Sequence, residues 1–285
     1  MDLGPPELRD TVADGRVETE ALIARWRGRG RLGYAVTPRF ALTSSDAQLA
    51  DAGAMLAAHP EVLLHTHLAE NKGEIAAVAE RFPAARDYLD AYDRFGLVGP
   101  RSVFAHCVHL EDAALARMAQ AGAGIAFCPT SNFFLGSGCF DLARADRHGV
   151  RTGIGSDVGA GTSLSLLATL GEAYKVCQLR GASLDPFRAL HLATAGGARI
   201  LGIGDRVGGL GPGQEADFVV LDSAATPHSR APHRRGRRST TACSRSRYWA
   251  TTARFPPPGC AAAAPVAAKE PRCSANSSPC SSPSS

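Results

Sequence analysis

The sequence lacks the features that mark several classes of protein. No apolar run approaches the roughly 20 residues that a membrane-spanning helix needs, and no basic segment leads into an apolar one near the first residue. The eight cysteines include no C-x-x-C pair, so the usual zinc-ribbon and thiol-redox spacings are absent. We therefore expect a reducing, cytoplasmic location, no membrane partner and free thiols.

The composition is globular on average but differs between the two parts of the chain. Hydrophobic residues make up 45% and charged residues 20% of the 285 residues, which is enough for a large core. Residues 227–285 hold ten Lys/Arg and one acidic residue, against 21 basic and 26 acidic residues in 1–226. Three interpretations of this tail stay open: a disordered segment, translation of GC-rich DNA in a shifted frame, and nucleic-acid binding through its basic cluster.

Five short apolar runs alternate with helical patterns. The runs are Leu32–Thr37, Val62–His67, Val103–Cys107, Gly124–Cys128 and Thr152–Asp157. The helical patterns are Glu18–Arg27, Glu74–Leu89, Leu110–Ala121, Leu164–Arg180 and Pro186–Leu201. Strands that alternate with helices predict βα units and a parallel sheet. A doubly wound sheet is the alternative, but no glycine-rich phosphate loop follows any of the runs.

The predicted fold class is α/β, a partial TIM-type (β/α)8 barrel with about five of its eight strands. Polar residues follow nearly every run, as they do at the active face of such barrels. We assign residues 1–205 to the partial barrel. Residues 206–226, with an alternating strand at Ala216–Leu221, are predicted to be the remnant of a small accessory β-domain. Residues 227–285 form the basic tail, predicted to be disordered and out of frame.

Histidine and carboxylate side chains occur at the ends of three predicted strands. His67 and Glu70 lie in the segment HTHLAE at 65–70, His106 lies near the end of the third run, and Asp157 ends the fifth. A barrel brings its strand ends together. A zinc ion lowers the pKa of a bound water towards ~7, and a neighbouring carboxylate then handles the protons. These residue types at these places predict a hydrolytic zinc site.

Each of these residues also has a simpler explanation. A single strand-end histidine is more often a hydrogen-bonded structural residue, Asp157 could cap a helix or sit in a turn, and Glu70 could favour a helix N-terminus. Three such residues at three separate strand ends favour one shared site. Two other catalytic patterns are excluded, because His109-Leu110-Glu111 has no later P-C-x-x-C and the sequence has no G-x-S-x-G.

From about residue 1 to 226 the chain resembles the guanine deaminases of the amidohydrolase superfamily, which are metal-dependent hydrolases. The matching stretches are LRDT at 8–11, TPRF at 37–40, HLAEN at 67–71, FAHCVHL at 104–110, CPTSNFFLGSG at 128–138 and GSDVGAGTSLS at 155–165. HLAE and the segment around Asp157 are general to the superfamily. The pairing of TPRF with PTSNFFLGSG is what points to the guanine deaminases.

The resemblance implies a zinc cofactor and a set of catalytic residues. His67 and Asp157 would bind the zinc ion, and Glu70 and Asp157 would transfer protons. His106 would contact the activated water or the tetrahedral centre. The implied reaction, a step of purine catabolism, is the hydrolysis of guanine to xanthine and ammonia.

The resemblance also implies a binding site for guanine. Arg39 and Phe40 match the substrate-binding pair of the family, with His67 and Glu70 beside them. An arginine offers a fixed fork of donors suited to a planar heterocycle, and a phenylalanine offers an apolar face. The alternative for Arg39 is an ordinary surface cation. The complete enzyme could form a homodimer. Nucleic acid is not an expected partner.

The sequence departs from the family at both ends. Such enzymes carry a His-x-His on the first barrel strand, after an accessory β-segment, and neither occurs before Leu32. His65-Thr66-His67 is not a substitute, because the Leu-Ala-Glu that follows it resembles the motif on the fifth strand of the family's complete barrel. His65 is therefore expected to be a pocket-wall or structural residue. We therefore expect a chain that is truncated before residue 1 and aberrant after Pro227. An inactive remnant and a deaminase of another aminated heterocycle remain alternatives.

Overall fold

The structure, a computed structural model, describes residues 1–219 as a parallel sheet with helices between its strands. The strands are β1 (Ala35–Val36), β2 (Leu63–Leu68), β3 (Ser102–His106), β4 (Gly124–Phe127) and β5 (Arg151–Ile154). They lie in the order β1-β2-β3-β4-β5, and every neighbouring pair is parallel. The five predicted strands are confirmed, and the connections have the succession that a partial (β/α)8 barrel requires.

Helices precede β1, fill the connections between the strands and follow β5. They are α1 (Val12–Trp26), α2 (Asp46–Ala58), α3 (Lys72–Arg81), α4 (Tyr88–Asp93), α5 (Asp112–Ala121), α6 (Pro129–Phe134), α7 (Leu142–Arg147), α8 (Leu166–Leu179), α9 (Pro186–His191) and α10 (Gly197–Ile200). A π-helical turn at Leu192–Gly196 joins α9 to α10. Two short 3-10 turns lie at Pro6–Leu8 and Ala41–Thr43. Within residues 1–219 no helix has the length and apolar character needed to cross a bilayer.

Two predictions of local structure are wrong. The helix predicted over Glu74–Leu89 is divided into α3 and α4, because the chain leaves the helical conformation at Phe82, directly before Pro83. The residue before a proline is sterically disfavoured in the α region, so the helix ends there. In the predicted strand Ala216–Leu221, the described residues 216–219 are not in a strand. The tail predicted at 227–285 lies outside the described residues.

The hydrophobic core lies between one face of the sheet and the helices. Leu64 and Leu68 of β2, Phe104 of β3 and Ile125 of β4 are fully buried in a single cluster. The register pairs Thr66 with Phe104 and Phe104 with Ile125, so these side chains share a face. The other face of β2 carries Leu63, His65 and His67, none of which is buried. Alternation along the strand thus separates core residues from the histidines.

Glycine in β4 and β5 allows the last helices to pack directly on these strands. A methyl group at Gly124 would lie 2.7 Å from Cβ of Ile200 in α10, and one at Gly153 would lie 2.9 Å from Cα of Gly197. Real Cβ atoms essentially never approach other atoms so closely. The segment that follows α8 therefore packs directly on the sheet at Gly124 and Gly153, where there is no room for a side chain.

Two helical glycines have opposite environments, which gives a test of the packing. Gly15 in α1 has no atom within 4 Å of an added methyl group, whereas a methyl at Gly53 in α2 would collide with the Phe95 carbonyl oxygen. We expect Gly15→Ala to raise the free energy of unfolding by up to about 1 kcal/mol, because alanine is the better helix former. We expect Gly53→Ala to lower it by about 1–3 kcal/mol through overpacking. Urea titrations followed by circular dichroism measure both, and equal effects would contradict the placement of α2.

Candidate active site

His67 is held near the end of β2 by two hydrogen bonds. The Nδ1–H of His67 donates to the Arg39 carbonyl oxygen at 2.6 Å, and the Tyr92 hydroxyl donates to the backbone carbonyl oxygen of His67 at 2.8 Å. Burial lowers the pKa of His67, the bond to the Arg39 carbonyl opposes this, and nearby His106 lowers the pKa further. The imidazole is therefore neutral at neutral pH, with Nε2 unprotonated and available as a ligand.

His106 reaches the same site from the end of β3 through an unusual backbone conformation. Strict alternation would place it on the face of Phe104, opposite to His67. Its φ of 70° lies in the left-handed region, and its ring stacks on His67 with 5.2 Å between centroids and 23° between planes. Because the backbone of His106 is left-handed and not extended, its imidazole lies beside that of His67.

The side chain of His106 is fully buried among polar groups. Its Nδ1–H donates to the Asn132 Oδ1 atom at 2.8 Å, and Nδ1 lies 3.7 Å from Oε1 of Glu70. Its Nε2 atom lies 4.0 Å from Oδ2 of Asp157 and has no hydrogen-bond partner among the residues that the structure describes. A buried nitrogen without a partner costs free energy, which is expected where a ligand completes the site.

Glu70 faces this histidine and is not the cap of the following helix. Its Oε1 atom accepts a hydrogen bond from the Ser137 hydroxyl at 2.9 Å. The cap of α3 is instead Asn71, whose side chain accepts from the backbone N–H of Glu74, while the Glu74 side chain accepts in return from the N–H of Asn71. The simpler explanation of Glu70 as a helix-capping charge therefore does not describe this structure.

Asp157 lies in the loop after β5, 4.0 Å from His106, and it does not cap the next helix either. That cap is Ser165, whose side chain accepts from the N–H of Ala168 at 3.3 Å. The φ of Asp157 is 47°, in the left-handed region. Its carboxylate is about one-third exposed, 31%, so it lies where a ligand from solvent can reach it.

Left-handed backbone is concentrated at these strand ends. Among residues 1–219 the non-glycine residues with positive φ are Ala69, His106, Cys107 and Asp157. Each lies just after β2, at the end of β3 or just after β5. Such conformations cost of order 1–3 kcal/mol each and persist where the surrounding structure enforces them, often at functional sites.

Arg39 and Phe40 lie beside His67, as the sequence predicts. The guanidinium carbon of Arg39 is 4.5 Å from the centroid of the Phe40 ring, and that ring meets His67 edge-on with centroids 6.5 Å apart. Arg39 is exposed and Phe40 is half-buried. The pair forms a cationic and apolar wall next to the histidines. His65 lies on the same face of β2 as His67 and is exposed.

The described residues supply part of a metal site. They form no group of three or more His, Cys, Asp or Glu side chains that could hold a metal ion. His67, with its free Nε2 atom, and Asp157, with its partly exposed carboxylate, have the chemistry of zinc ligands. A catalytic zinc ion needs three protein ligands and an open position, so these two residues fit the ion without completing its shell.

Two buried cysteines lie near the site without joining its chemistry. Burial and, to a smaller extent, the negative charge of Asp157 together raise the pKa of Cys128 to about 12. Burial also raises the pKa of Cys107 well above its ordinary value. Both thiols therefore stay protonated at neutral pH and are neither nucleophiles nor ready metal ligands. A methyl group at Gly155 would lie 3.0 Å from Sγ of Cys128, so the two positions are tightly packed.

Only some of the supporting residues can be anticipated from the sequence. Asn132 is noticeable as a polar residue just after the fourth apolar run, but its contact with His106 is not predicted by any spacing. Ser137 and Tyr92 have no such signal. Their bonds to Glu70 and His67 join residues 67 and 25 positions apart, a separation that only the fold brings together.

Comparison with known proteins identifies the family. A model of the amidohydrolase family matches residues 4–251. The chain belongs to the amidohydrolase family. This match confirms the family and the fold class predicted from the sequence.

Curated relatives of this amidohydrolase chain are longer than it is, and the match covers about half of each. Guanine deaminase of Escherichia coli strain K12 is 50% identical over 228 residues, which cover 80% of this chain and 52% of that enzyme. The probable guanine deaminase of Deinococcus radiodurans is 47% identical over 219 residues, covering 76% and 50%. The chain therefore spans about half the length of these relatives.

Solved structures of amidohydrolases share the fold. The E. coli guanine deaminase structure has a TM-score of 0.79 at 49% identity, with 80% of this chain and 54% of that chain covered. A guanine deaminase from C. acetobutylicum with bound guanine has a TM-score of 0.68 at 27% identity, covering 72% and 50%. An adenosine deaminase from Xanthomonas campestris with bound zinc has a TM-score of 0.66 at 30% identity, covering 70% and 46%.

The raised thiol pKa values predict a pattern of alkylation. The thiolate is the reactive form, so we expect iodoacetamide at about pH 8 to leave Cys107 and Cys128 unmodified in the native chain, while half-buried Cys139 reacts faster than either. Peptide mapping by mass spectrometry after timed quenching measures this. Unfolding in guanidinium chloride serves as the control and should make all three react alike. Rapid native modification of Cys128 would contradict its environment.

Proposed function

We propose that this chain carries half of the active site of a guanine deaminase, which hydrolyses guanine to xanthine and ammonia. The observation that carries the proposal is the convergence of His67, Glu70, His106 and Asp157 around one point beside the wall formed by Arg39 and Phe40. The E. coli relative at 50% identity and the guanine-bound homologue support the choice of substrate.

The metal in this proposal is zinc, as in the bound adenosine deaminase structure from X. campestris. His67 and Asp157 would hold it together with ligands from outside the described residues. When bound, zinc would lower the pKa of a water molecule towards ~7 and so make hydroxide available. The Nδ1–H of His67 donates to the Arg39 carbonyl, which keeps its Nε2 atom unprotonated for the ion.

Glu70 and His106 handle the protons of the hydrolysis. Glu70 carries one proton of the attacking water to a ring nitrogen of guanine, and the second proton passes to the amino group, so that the amino group leaves as ammonia while the water oxygen becomes the new carbonyl of xanthine. His106, with an unprotonated Nε2 atom and no other partner there, accepts a hydrogen bond from the attacking water. The two side chains are neighbours, with 3.7 Å between Nδ1 of His106 and Oε1 of Glu70.

Arg39 and Phe40 bind the purine ring. The guanidinium donates to the ring nitrogen and carbonyl acceptors of guanine, which a planar fork of N–H groups matches. Phe40 covers an apolar face of the ring and, through its contact with His67, sets the base beside the reacting centre. Adenine presents an amino group where guanine presents a carbonyl, so the arginine would face a donor there.

A hybrid enzyme tests this proposal. We would replace the matching segment of E. coli guanine deaminase by residues 4–219 of this chain and load the hybrid with zinc. We expect release of xanthine and ammonia from guanine, with a kcat/KM at least about 100-fold above that for adenine or an aminotriazine, because unpaired polar groups are rejected strongly. Chromatography of the products and an ammonia assay measure this. A folded, zinc-loaded hybrid without this preference would overturn the assignment to guanine.

Glu70→Gln in the hybrid separates proton transfer from binding. We expect kcat to fall by about 10²–10⁴-fold, because the amide cannot accept the proton, while KM changes little. Steady-state assays with guanine measure both constants. Glu80→Gln is the matched control, since Glu80 is exposed in α3, the helix that follows Glu70, and should leave both unchanged. An unaffected kcat in Glu70→Gln would show that another group transfers the proton.

The ligand assignment predicts metal loss from two single variants. We expect His67→Ala and Asp157→Asn to weaken zinc binding by the hybrid more than the roughly 10–100-fold that changes around metal ligands cost. Competition with a fluorescent zinc chelator measures the affinity. His148→Ala is the control, because His148 is only half-buried and its Nε2 atom pairs with Asp112 instead of facing the proposed ligands. Equal affinities in the three variants would contradict the assignment.

A further inference from the structure

The connection between β4 and α7 contacts two side chains of the proposed active site at once. Within it, Asn132 in α6 accepts a hydrogen bond from His106 Nδ1–H at 2.8 Å, and Ser137 donates one to Glu70 Oε1 at 2.9 Å. Both Asn132 and Ser137 are buried. Neither is a metal ligand or a proton-transfer group in the function proposed above.

We propose that Asn132 and Ser137 are positioning residues. Asn132 holds His106 in the tautomer with the proton on Nδ1, and Ser137 fixes one oxygen of Glu70 so that the other remains free for proton transfer. The catalytic meaning of this inference rests on the proposed function, whereas the tautomer itself is a property of this chain.

The chemistry of the Asn132 contact determines the tautomer. A carbonyl oxygen such as Oδ1 only accepts hydrogen bonds, so a contact of 2.8 Å with Nδ1 requires the proton on Nδ1. A neutral imidazole has one ring proton, and its Nε2 atom therefore presents a lone pair. That atom is buried, has no protein partner among residues 1–219 and faces the Asp157 carboxylate at 4.0 Å. It is thus an acceptor directed to the place where water is activated.

The burial of Asn132 argues that this bond is its main role. The residue is fully inaccessible, and its Nδ2 atom has no hydrogen-bond partner in the described part of the chain. A buried amide nitrogen without a partner costs free energy, whereas a leucine of similar size would carry no such cost. A residue chosen for packing alone would be apolar, and the contact that requires an amide is the one with His106.

Ser137 is tied to Asn132, so the two contacts form one unit. The backbone N–H of Ser137 donates to the Asn132 carbonyl at 2.8 Å, and His109 Nε2–H donates to the Ser137 carbonyl at 2.8 Å. Gly136 has a φ of 70° and Gly138 a φ of 126°, which L side chains rarely adopt. A methyl group at Gly138 would also lie 3.3 Å from Val108. The turn is therefore held from the β3–α5 loop and positions Glu70 and His106 together.

Nuclear magnetic resonance of the full chain tests the tautomer without any assay of activity. Long-range ¹H–¹⁵N spectra distinguish protonated from unprotonated ring nitrogens, and the His106→Gln spectrum identifies the signals of His106 among the nine histidines. We expect the Nδ1–H tautomer in the wild type and in Asn132→Asp, which keeps an acceptor oxygen. We expect Asn132→Leu to shift the population towards Nε2–H. The wild-type spectrum alone overturns the proposal if it shows Nε2–H.

Ser131→Ala is the matched control for this experiment. Ser131 is the neighbour of Asn132 in α6, is equally inaccessible, and its Oγ atom has no hydrogen-bond partner among residues 1–219. Its truncation perturbs the same helix without touching His106, so the tautomer should not change. If Ser131→Ala and Asn132→Leu alter the His106 signals alike, the effect is one of packing and the assigned role of Asn132 is wrong.

Kinetics of the hybrid enzyme provide the second arm. We expect Asn132→Leu and Ser137→Ala to lower kcat by about 10–100-fold, the range for residues that orient catalytic groups, with KM changed less than about twofold. Ser137→Thr keeps the hydroxyl and should restore most of the rate. Unchanged kcat in both variants would overturn the catalytic part. If the unaltered hybrid does not deaminate guanine, the proposed function fails, and the spectra still decide the tautomer.

Discussion

The geometry of this site depends on backbone that leaves the extended conformation where strands end. Ala69, His106 and Asp157 adopt φ values of 49°, 70° and 47°, each at a cost of roughly 1–2 kcal/mol for a non-glycine residue. The fully buried side chains beneath them, Leu68 and Phe104, anchor the strands. Rigid strands over a packed core can enforce turns that an isolated loop would not keep. Polar side chains of three strands meet as a result.

The two stacked imidazoles share one pattern of protonation, imposed by different acceptors. His67 donates through Nδ1 to a main-chain carbonyl, that of Arg39, and His106 donates through Nδ1 to a side-chain carbonyl, that of Asn132. Each ring therefore presents Nε2 as a lone pair. The main-chain acceptor comes from the segment after β1 and the side-chain acceptor from α6, so elements on both sides of β2 and β3 determine the chemistry between them.

Much of the architecture can be predicted from the sequence, because each apolar run is short and is followed by polar residues. The positions of His67, His106 and Asp157 at strand ends follow from the same pattern. Pro83 also indicates the division between α3 and α4. The amphipathic pattern nevertheless continues across Pro83, which is why the sequence predicts a single helix over Glu74–Leu89. The contact of Ser137 with Glu70 was not predictable, because no local propensity records which residues meet across 67 positions of chain. Nor does strand alternation foresee the left-handed turn that aims His106.

The close approach of Gly155 to Cys128 restricts how this family of sequences can diverge. The two positions belong to neighbouring parallel strands or their ends, and a methyl group at one would meet the sulfur of the other at 3.0 Å. A larger residue at 155 is compatible only with a smaller one at 128. In related sequences the two positions should consequently co-vary in volume, although neither residue is among the proposed catalytic residues.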